Sequence, residues 1–199
     1  MIQFTDKDFL LKAYGQLYDQ EAGPWNLSVE SKYLEYMLAK FFEENFKIAE
    51  KACICNIGIG AGFWDRYLSY KLRDGSLTSV DIDQTSCRQL KECLKNEKNP
   101  KKVTVIHSDV LLLDGLENQF DIVTMVGSTR TESGLYEAII EKAFSFLKQG
   151  GSLYYQTLDK AEAKDDMLAI CAKNNITIKN YLLDTAYGFQ AQYWKMAKR

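Results

Sequence analysis

The sequence is poor in proline and histidine, has no long apolar run and carries no surplus of positive charge; each scarcity excludes something. Its two prolines, Pro24 and Pro100, are too few to mark a linker, and no repeat or low-complexity tract divides the 199 residues. One domain over 1–199 is therefore expected, with a helical cap over 1–50 and a core over 51–199, long enough to bury a sizeable interior. No stretch approaches the roughly 18 uncharged apolar residues of a membrane span. The opening MIQFTDKDFLLKAYG lacks the basic segment and apolar core of a secretory signal, so a cytoplasmic chain with no membrane role is expected. Lys and Arg number 25 against 27 Asp and Glu, a net charge of −2. Proteins that grip nucleic acid by neutralising phosphates run the other way, which disfavours nucleic acid as a partner. The five cysteines are odd in number and show no framework spacing, and the single histidine, His107, offers no second ligand pair for zinc. They read as buried free thiols in a reducing compartment, and no metal is expected.

What is present is a globular composition, 46% hydrophobic and 26% charged, near the average for a folded soluble domain. The first fifty residues read as helices: DKDFLLKAYGQLYDQ is amphipathic, and SVESKYLEYMLAKFFEENF opens on a capping pattern at Ser28. Beyond them, strands and helices alternate. ACICNI, LTSVDI, VTVIH, FDIVTMV and SLYYQTL read as strands, separated by helices at FWDRYLSYKL, QTSCRQLKECLKNE and SGLYEAIIEKAFSFLKQ, the last closed by Gly150 and Gly151 in the manner of a left-handed cap. KAEAKDDMLAICAKNN is a further helix. ITIKNYLLD and FQAQYWKMAK are strands whose link is too short for a parallel crossover, so they pair antiparallel. The pattern predicts an α/β fold: a doubly wound, mostly parallel, seven-stranded Rossmann-like sheet with a C-terminal antiparallel hairpin and a small lid of N-terminal helices.

The stretch NIGIGAGFW, residues 56–64, follows the first core strand and opens a helix. Glycines at 58, 60 and 62 allow positive φ and close backbone approach, and the helix start offers free amides at the sheet edge where such folds bind ligands. The dinucleotide fingerprint G-x-G-x-x-G fits neither register: it would need a glycine at Phe63 or at Asp65. G-x-G-x-G fits directly. CICNIGIGAG resembles the first motif of class I S-adenosylmethionine-dependent methyltransferases. LTSVDID, VTVIHSDVLLLD, FDIVTMVGS and AFSFLKQGGSLYYQT resemble, in order, the motifs of the second to fifth strands.

The resemblance implies S-adenosylmethionine as cofactor, S-adenosylhomocysteine as product, and the core from Ala52 onward as the binding unit. Candidate cofactor residues are Asn56, Gly58, Ile59, Gly60, Gly62 and Trp64 around the first motif. Asp81, Ile82 and Asp83 follow at the second strand, with Asp109 and Val110 after the third, and Val126 and Gly127 after the fourth. Asp81 stands where a carboxylate accepts ribose hydroxyl protons, as the corresponding acid does in dinucleotide folds. Asp83, directly before a helix, also suits an N-cap. The resemblance gives Ile82 to the adenine, Asp109 and the Val110 amide to the adenine edge, and Val126 and Gly127 to the border of the sulfonium. The family usually has an acid at the position of Asn56, where it holds the methionine end; Asn keeps a carbonyl acceptor without the charge.

MVGSTR after the fourth strand lacks the Asn/Asp-Pro-Pro-aromatic motif of amino-methylating DNA and glutamine enzymes. It also lacks the Pro-Cys of cytosine-C5 enzymes and the aspartate of metal-dependent catechol-type enzymes. His107 reads as structural. Tyr14, Tyr18 and Trp25 (with Asn26 and Tyr33), and Ser128 and Arg130 (with Thr129), are candidates for the acceptor side. The lysines at 91, 95, 98, 101 and 102 read as a solvated helix face. The expectation is a methyltransferase acting on a small-molecule acceptor, as a monomer or homodimer. The rivals are an RNA or protein methyltransferase, and a non-catalytic cofactor-binding protein of the same fold. A nicotinamide oxidoreductase is disfavoured by the glycine spacing.

Overall fold

The structure is a computed structural model that describes residues 28–99, 101–127, 134–158 and 163–198. The chain divides into two compact units, Met1–Lys40 and Phe41–Arg199. The boundary falls inside the first described helix, α1 (Val29–Asn45). Within the first unit, Ser28 caps that helix: its Oγ accepts from the Ser31 amide at 3.0 Å. The predicted helix upstream lies outside the described residues.

The second unit is a seven-stranded sheet in the order β3-β2-β1-β4-β5-β7-β6. The strands are β1 (Cys53–Ile57), β2 (Ser76–Asp81), β3 (Lys102–His107), β4 (Phe120–Val126), β5 (Leu147–Thr157), β6 (Ile176–Asp184) and β7 (Ala191–Lys198). Helices α2 (Phe63–Lys71), α3 (Gln84–Asn96), α4 (Tyr136–Phe146) and α5 (Ala163–Lys173) connect them. The first five strands run parallel, and β7 lies antiparallel between β5 and β6. Strand order reverses between β1 and β4, which opens the crevice at the carboxyl edge where doubly wound sheets bind ligands. The alternating α/β pattern and the antiparallel terminal pair are thus as the sequence predicts. Among the described residues no helix is long and apolar enough to cross a membrane.

One boundary differs. The helix expected to run to Gly150–Gly151 stops at Phe146, because Leu147 is already extended (φ −69°, ψ 135°). Leu147 pairs with Phe120, and the ladder then shifts register before Ile122 pairs with Ser152. The two glycines are therefore a bulge inside β5 and not a helix cap. Gly150 takes φ 78°, and a Cβ on Gly151 would sit 3.0 Å from the Phe120 carbonyl. Residues 148–151 of β5 thus stand opposite Asp121 alone in β4, and a left-handed glycine lets the backbone make that excursion.

Side chains alternate across the sheet and build two cores. On one face, Cys55, Ile57, Val123, Met125, Leu153, Tyr155, Trp194 and Met196 pack with Ile140, Ala143 and Phe144 of α4. On the other, Tyr154 meets Phe41, Phe42 and Trp64 at ring separations of 5.8, 5.6 and 5.5 Å. Such pairs add to simple area burial.

Candidate functional site

The loop after β1 turns left-handed three times, at Gly58 (φ 86°), Gly60 (φ 52°) and Gly62 (φ 76°). A β-carbon would strain each of these positions, so the bare backbone is a conformational requirement. Gly58 is held to the sheet by its amide, which donates to the Val80 carbonyl at 2.8 Å. Gly62 caps α2 with its backbone.

Asp81, at the end of β2, ties the loop to the neighbouring strand. Its Oδ2 accepts from the amides of Ile59 (2.6 Å) and Gly60 (3.2 Å), and its Oδ1 from the Asp83 amide (2.8 Å). Beside it opens a cavity of about 280 Å³, toward the small end of small-molecule sites. Gly58, Asp81, Ser108 and Asp109 supply its polar lining, and Ile57, Val80, Ile82, Val110, Leu111 and Met125 its apolar walls on the sheet side. Leu135, Tyr136 and Ile139 close it from the start of α4. Ile82 is 69% exposed, an apolar side chain standing open at the mouth. The arrangement can accept hydrogen bonds from a ligand's hydroxyls at one end and shield a flat apolar group at the other.

The remaining candidates divide. Asp109 accepts from the Leu111 amide at 2.9 Å, so its carboxylate shapes the short 3-10 turn Val110–Leu112 that carries Val110 into the wall. Asp83 caps α3: its Oδ2 accepts from the Ser86 amide at 2.7 Å, and that bond holds its carboxyl below the usual range. It does not line the cavity. Val126 and Gly127 end β4 without lining it either; the Gly127 amide is taken by Gln156, through its carbonyl (3.2 Å) and its Oε1 (2.9 Å). His107 pairs in register with Asp81, and its Nε2 lies 3.0 Å from the Ile82 carbonyl. Tyr14, Tyr18, Trp25, Ser128 and Arg130 lie outside the described residues.

Asn56 and Trp64 face away from the cavity. Ile57 points into the cavity, so its neighbour Asn56 points to the opposite face by the two-residue period of a strand. There Asn56 Nδ2 donates to the Gly58 carbonyl (2.8 Å) and to both oxygens of Asp65 (3.0 Å each), while its Oδ1 accepts from the Thr124 hydroxyl (2.7 Å). Trp64 lies on the inward side of α2 with Leu68, four residues on, and its ring stacks on Tyr67 at 5.0 Å. Its place is the aromatic core.

Asp65 is the residue that the sequence reading passed over. It is fully buried. Burial pushes its carboxyl up to about 7, with the nearby Ser79 hydroxyl and the Asn56 amide opposing the rise and the Asp81 charge adding to it. The signal was present: Asp65 shares the inward face of α2 with Leu68 and Leu72, at helical spacing.

A doubly wound sheet with a left-handed glycine loop, an acid at the end of β2 and a cavity between them defines a class of nucleotide-cofactor folds. A family model described as "Methyltransferase domain" matches residues 54–151. A protein of Invertebrate iridescent virus 6 named "Putative methyltransferase 235L" is 25% identical over 180 residues, covering 86% of this chain. This chain spans 56% of that protein's length. Magnesium protoporphyrin IX methyltransferase from Synechocystis PCC 6803, solved with bound S-adenosylmethionine, superposes with a TM-score of 0.70 at 12% identity, over 100% of both chains. The [4+2]-cyclase SpnF superposes at 0.71 and 13% identity, over 81% of this chain and 80% of its own. Residues 54–151 thus carry a methyltransferase domain, and its motif order is the one that resembles the class I S-adenosylmethionine-dependent enzymes.

Proposed function

We propose that this protein transfers a methyl group from S-adenosylmethionine to a small-molecule acceptor. The observation that carries the reading is Asp81 held between the glycine loop and the cavity. Its carboxylate lines a pocket whose sheet-side walls are mostly apolar, an acceptor that suits a ribose diol next to a flat base. In this reading Asp81 accepts from the ribose hydroxyls, Ile82 and Val110 sandwich the base, and Asp109 and the Val110 amide address its edge. The Gly58–Gly62 backbone leaves room for the rest. The cofactor brings an electrophilic methyl on a sulfonium, whose thioether leaving group needs no acid. What the chain must do is therefore mostly positional: hold the acceptor in line, exclude water and let the acceptor's proton depart. Orientation of that kind supplies several kcal/mol in model reactions. A small acceptor is supported by the single short helix α5 between β5 and the terminal strands, and by the acidic balance of the chain.

A second reading keeps the cofactor and drops the transfer. The superposition on a protein named as a cyclase favours weighing it, since fold alone does not decide chemistry. Calorimetric titration with S-adenosylmethionine, S-adenosylhomocysteine and, as control, NAD tests the common part. Micromolar binding of the first two and none of NAD supports it; binding of neither overturns both readings. Methyl transfer from labelled cofactor to a small-molecule extract then separates them.

A further inference from the structure

Asp65 is a costly residue to bury. Its side chain is wholly inaccessible, and both oxygens are engaged by the single amide nitrogen of Asn56. Among the described residues no lysine or arginine pairs with it. Arg66, next on α2, turns outward to an ion pair with Glu97. From β1 the titratable neighbour is the Cys55 thiol, which burial and the Asp65 charge both raise. From β2 come the neutral Ser79 and the like-charged Asp81. From β4 only the Thr124 hydroxyl arrives, through Asn56. A buried carboxylate without a cation is expensive, and such groups gather where a ligand supplies the missing charge. One hydrogen bond beyond Asn56 is the Gly58 carbonyl, and Gly58 lines the cavity.

We propose that Asp65 is a positioning and specificity-determining residue for the cofactor: its carboxylate, relayed through Asn56 to the glycine loop, supplies the negative charge that favours the cationic sulfonium form over the neutral thioether product. The inference rests on the methyltransferase reading above. It divides labour between two residues: Asn56 holds the loop by its amide, and Asp65 carries the charge from behind. It also gives the site a means of discharging product, since S-adenosylhomocysteine lacks the sulfonium charge that Asp65 answers.

The linkage has a definite sign. A cationic ligand favours the ionised carboxyl, so binding of S-adenosylmethionine expels a proton wherever Asp65 is still partly neutral. With its carboxyl near 7, the wild type should release up to about half a proton at pH 7.

The test is titration calorimetry of the wild type and Asp65→Asn with both ligands, at about pH 6, 7 and 8, in two buffers of different protonation enthalpy. The difference between the two proteins cancels any proton that the ligand itself exchanges. Three results are expected: extra proton release in the wild type with S-adenosylmethionine alone; affinity for it that rises with pH in the wild type and less in the variant; and a preference over S-adenosylhomocysteine about tenfold smaller in Asp65→Asn. The exchanged pair Asn56→Asp with Asp65→Asn should regain much of that preference, which a merely structural role would not give. Equal proton counts and equal preferences in folded wild type and Asp65→Asn, checked by thermal melting, overturn the proposal while leaving the methyltransferase reading standing. Failure of the wild type to bind either ligand overturns both.

Discussion

Two aspartates lie close to the same glycine loop, on opposite sides of it, and they are built differently. Asp81 is half-buried, lines the cavity and is gripped by three backbone amides from Ile59, Gly60 and Asp83. Asp65 is fully buried, meets one side-chain amide and, among the described residues, has only neutral or like-charged titratable neighbours. Backbone amides at a loop are fixed and point outward, so they can hold a carboxylate where a ligand reaches it. An asparagine on the inner face can hold one only where no ligand reaches. The same residue type thus serves contact on one side and field on the other, and the difference comes from which face of the sheet presents it.

Removing the contact side should have the largest effect. In the proposed site, Asp81→Ala loses a charged acceptor for two hydroxyls, and affinity for S-adenosylhomocysteine should fall by at least about 100-fold in calorimetry, consistent with charged hydrogen bonds of roughly 1.5–3 kcal/mol each. A variant that bound as tightly as the wild type would remove Asp81 from the site.

The field side should show in stability. The Asp65 carboxyl is raised from 3.8 to about 7 on folding, so the native state binds the proton more tightly than the unfolded chain. Stability is then fullest below about pH 4 and is lost as pH rises through 7. Asp65→Asn removes that penalty. Denaturant melts should find the variant more stable than the wild type by roughly 2–4 kcal/mol near pH 8, with the advantage gone near pH 4. A pH-independent difference would mean that Asp65 does not titrate in this range.

Two smaller effects sharpen the contrast between loop and cap. Gly60 has φ 52° and open space where a β-carbon would go, so Gly60→Ala meets strain without a clash. A loss of about 1–2 kcal/mol in thermal unfolding is expected, with cofactor affinity lowered alongside. Asp83→Ala removes the cap of α3 and should cost about 1 kcal/mol of stability. Affinity should hold, because Asp83 stands outside the cavity; a large loss of binding would return it to the site.

The sequence reading and the structure agree where the signal is local. FDIVTMV and ITIKNYLLD are apolar or alternating runs bounded by turns, and they are strands at those limits. The capping residues Ser28 and Asp83 act through neighbours three positions away. The reading departs where a partner comes from elsewhere in the chain. Gly150–Gly151 looks like a helix cap until Phe120 and Leu147 pair and make it a bulge. Asn56 stands where the resemblance gives a residue to the cofactor's amine, and only the fold brings Asp65 and Thr124 to its side-chain amide. Trp64 belongs to the first motif by position and to the aromatic core by helical phase.

Periodicity, glycine placement and motif order are properties of short stretches, governed by backbone sterics and by a two- or 3.6-residue repeat. By themselves they determined the alternating elements, the doubly wound class, the glycine loop and the acid at the end of β2. The face on which each polar side chain would be trapped, the burial of Asp65 with no cation beside it among the described residues and the insertion of β7 between β5 and β6 were decided only by tertiary structure. Each depends on docking between segments far apart in the chain, and there the energy of a carboxylate is set by what surrounds it.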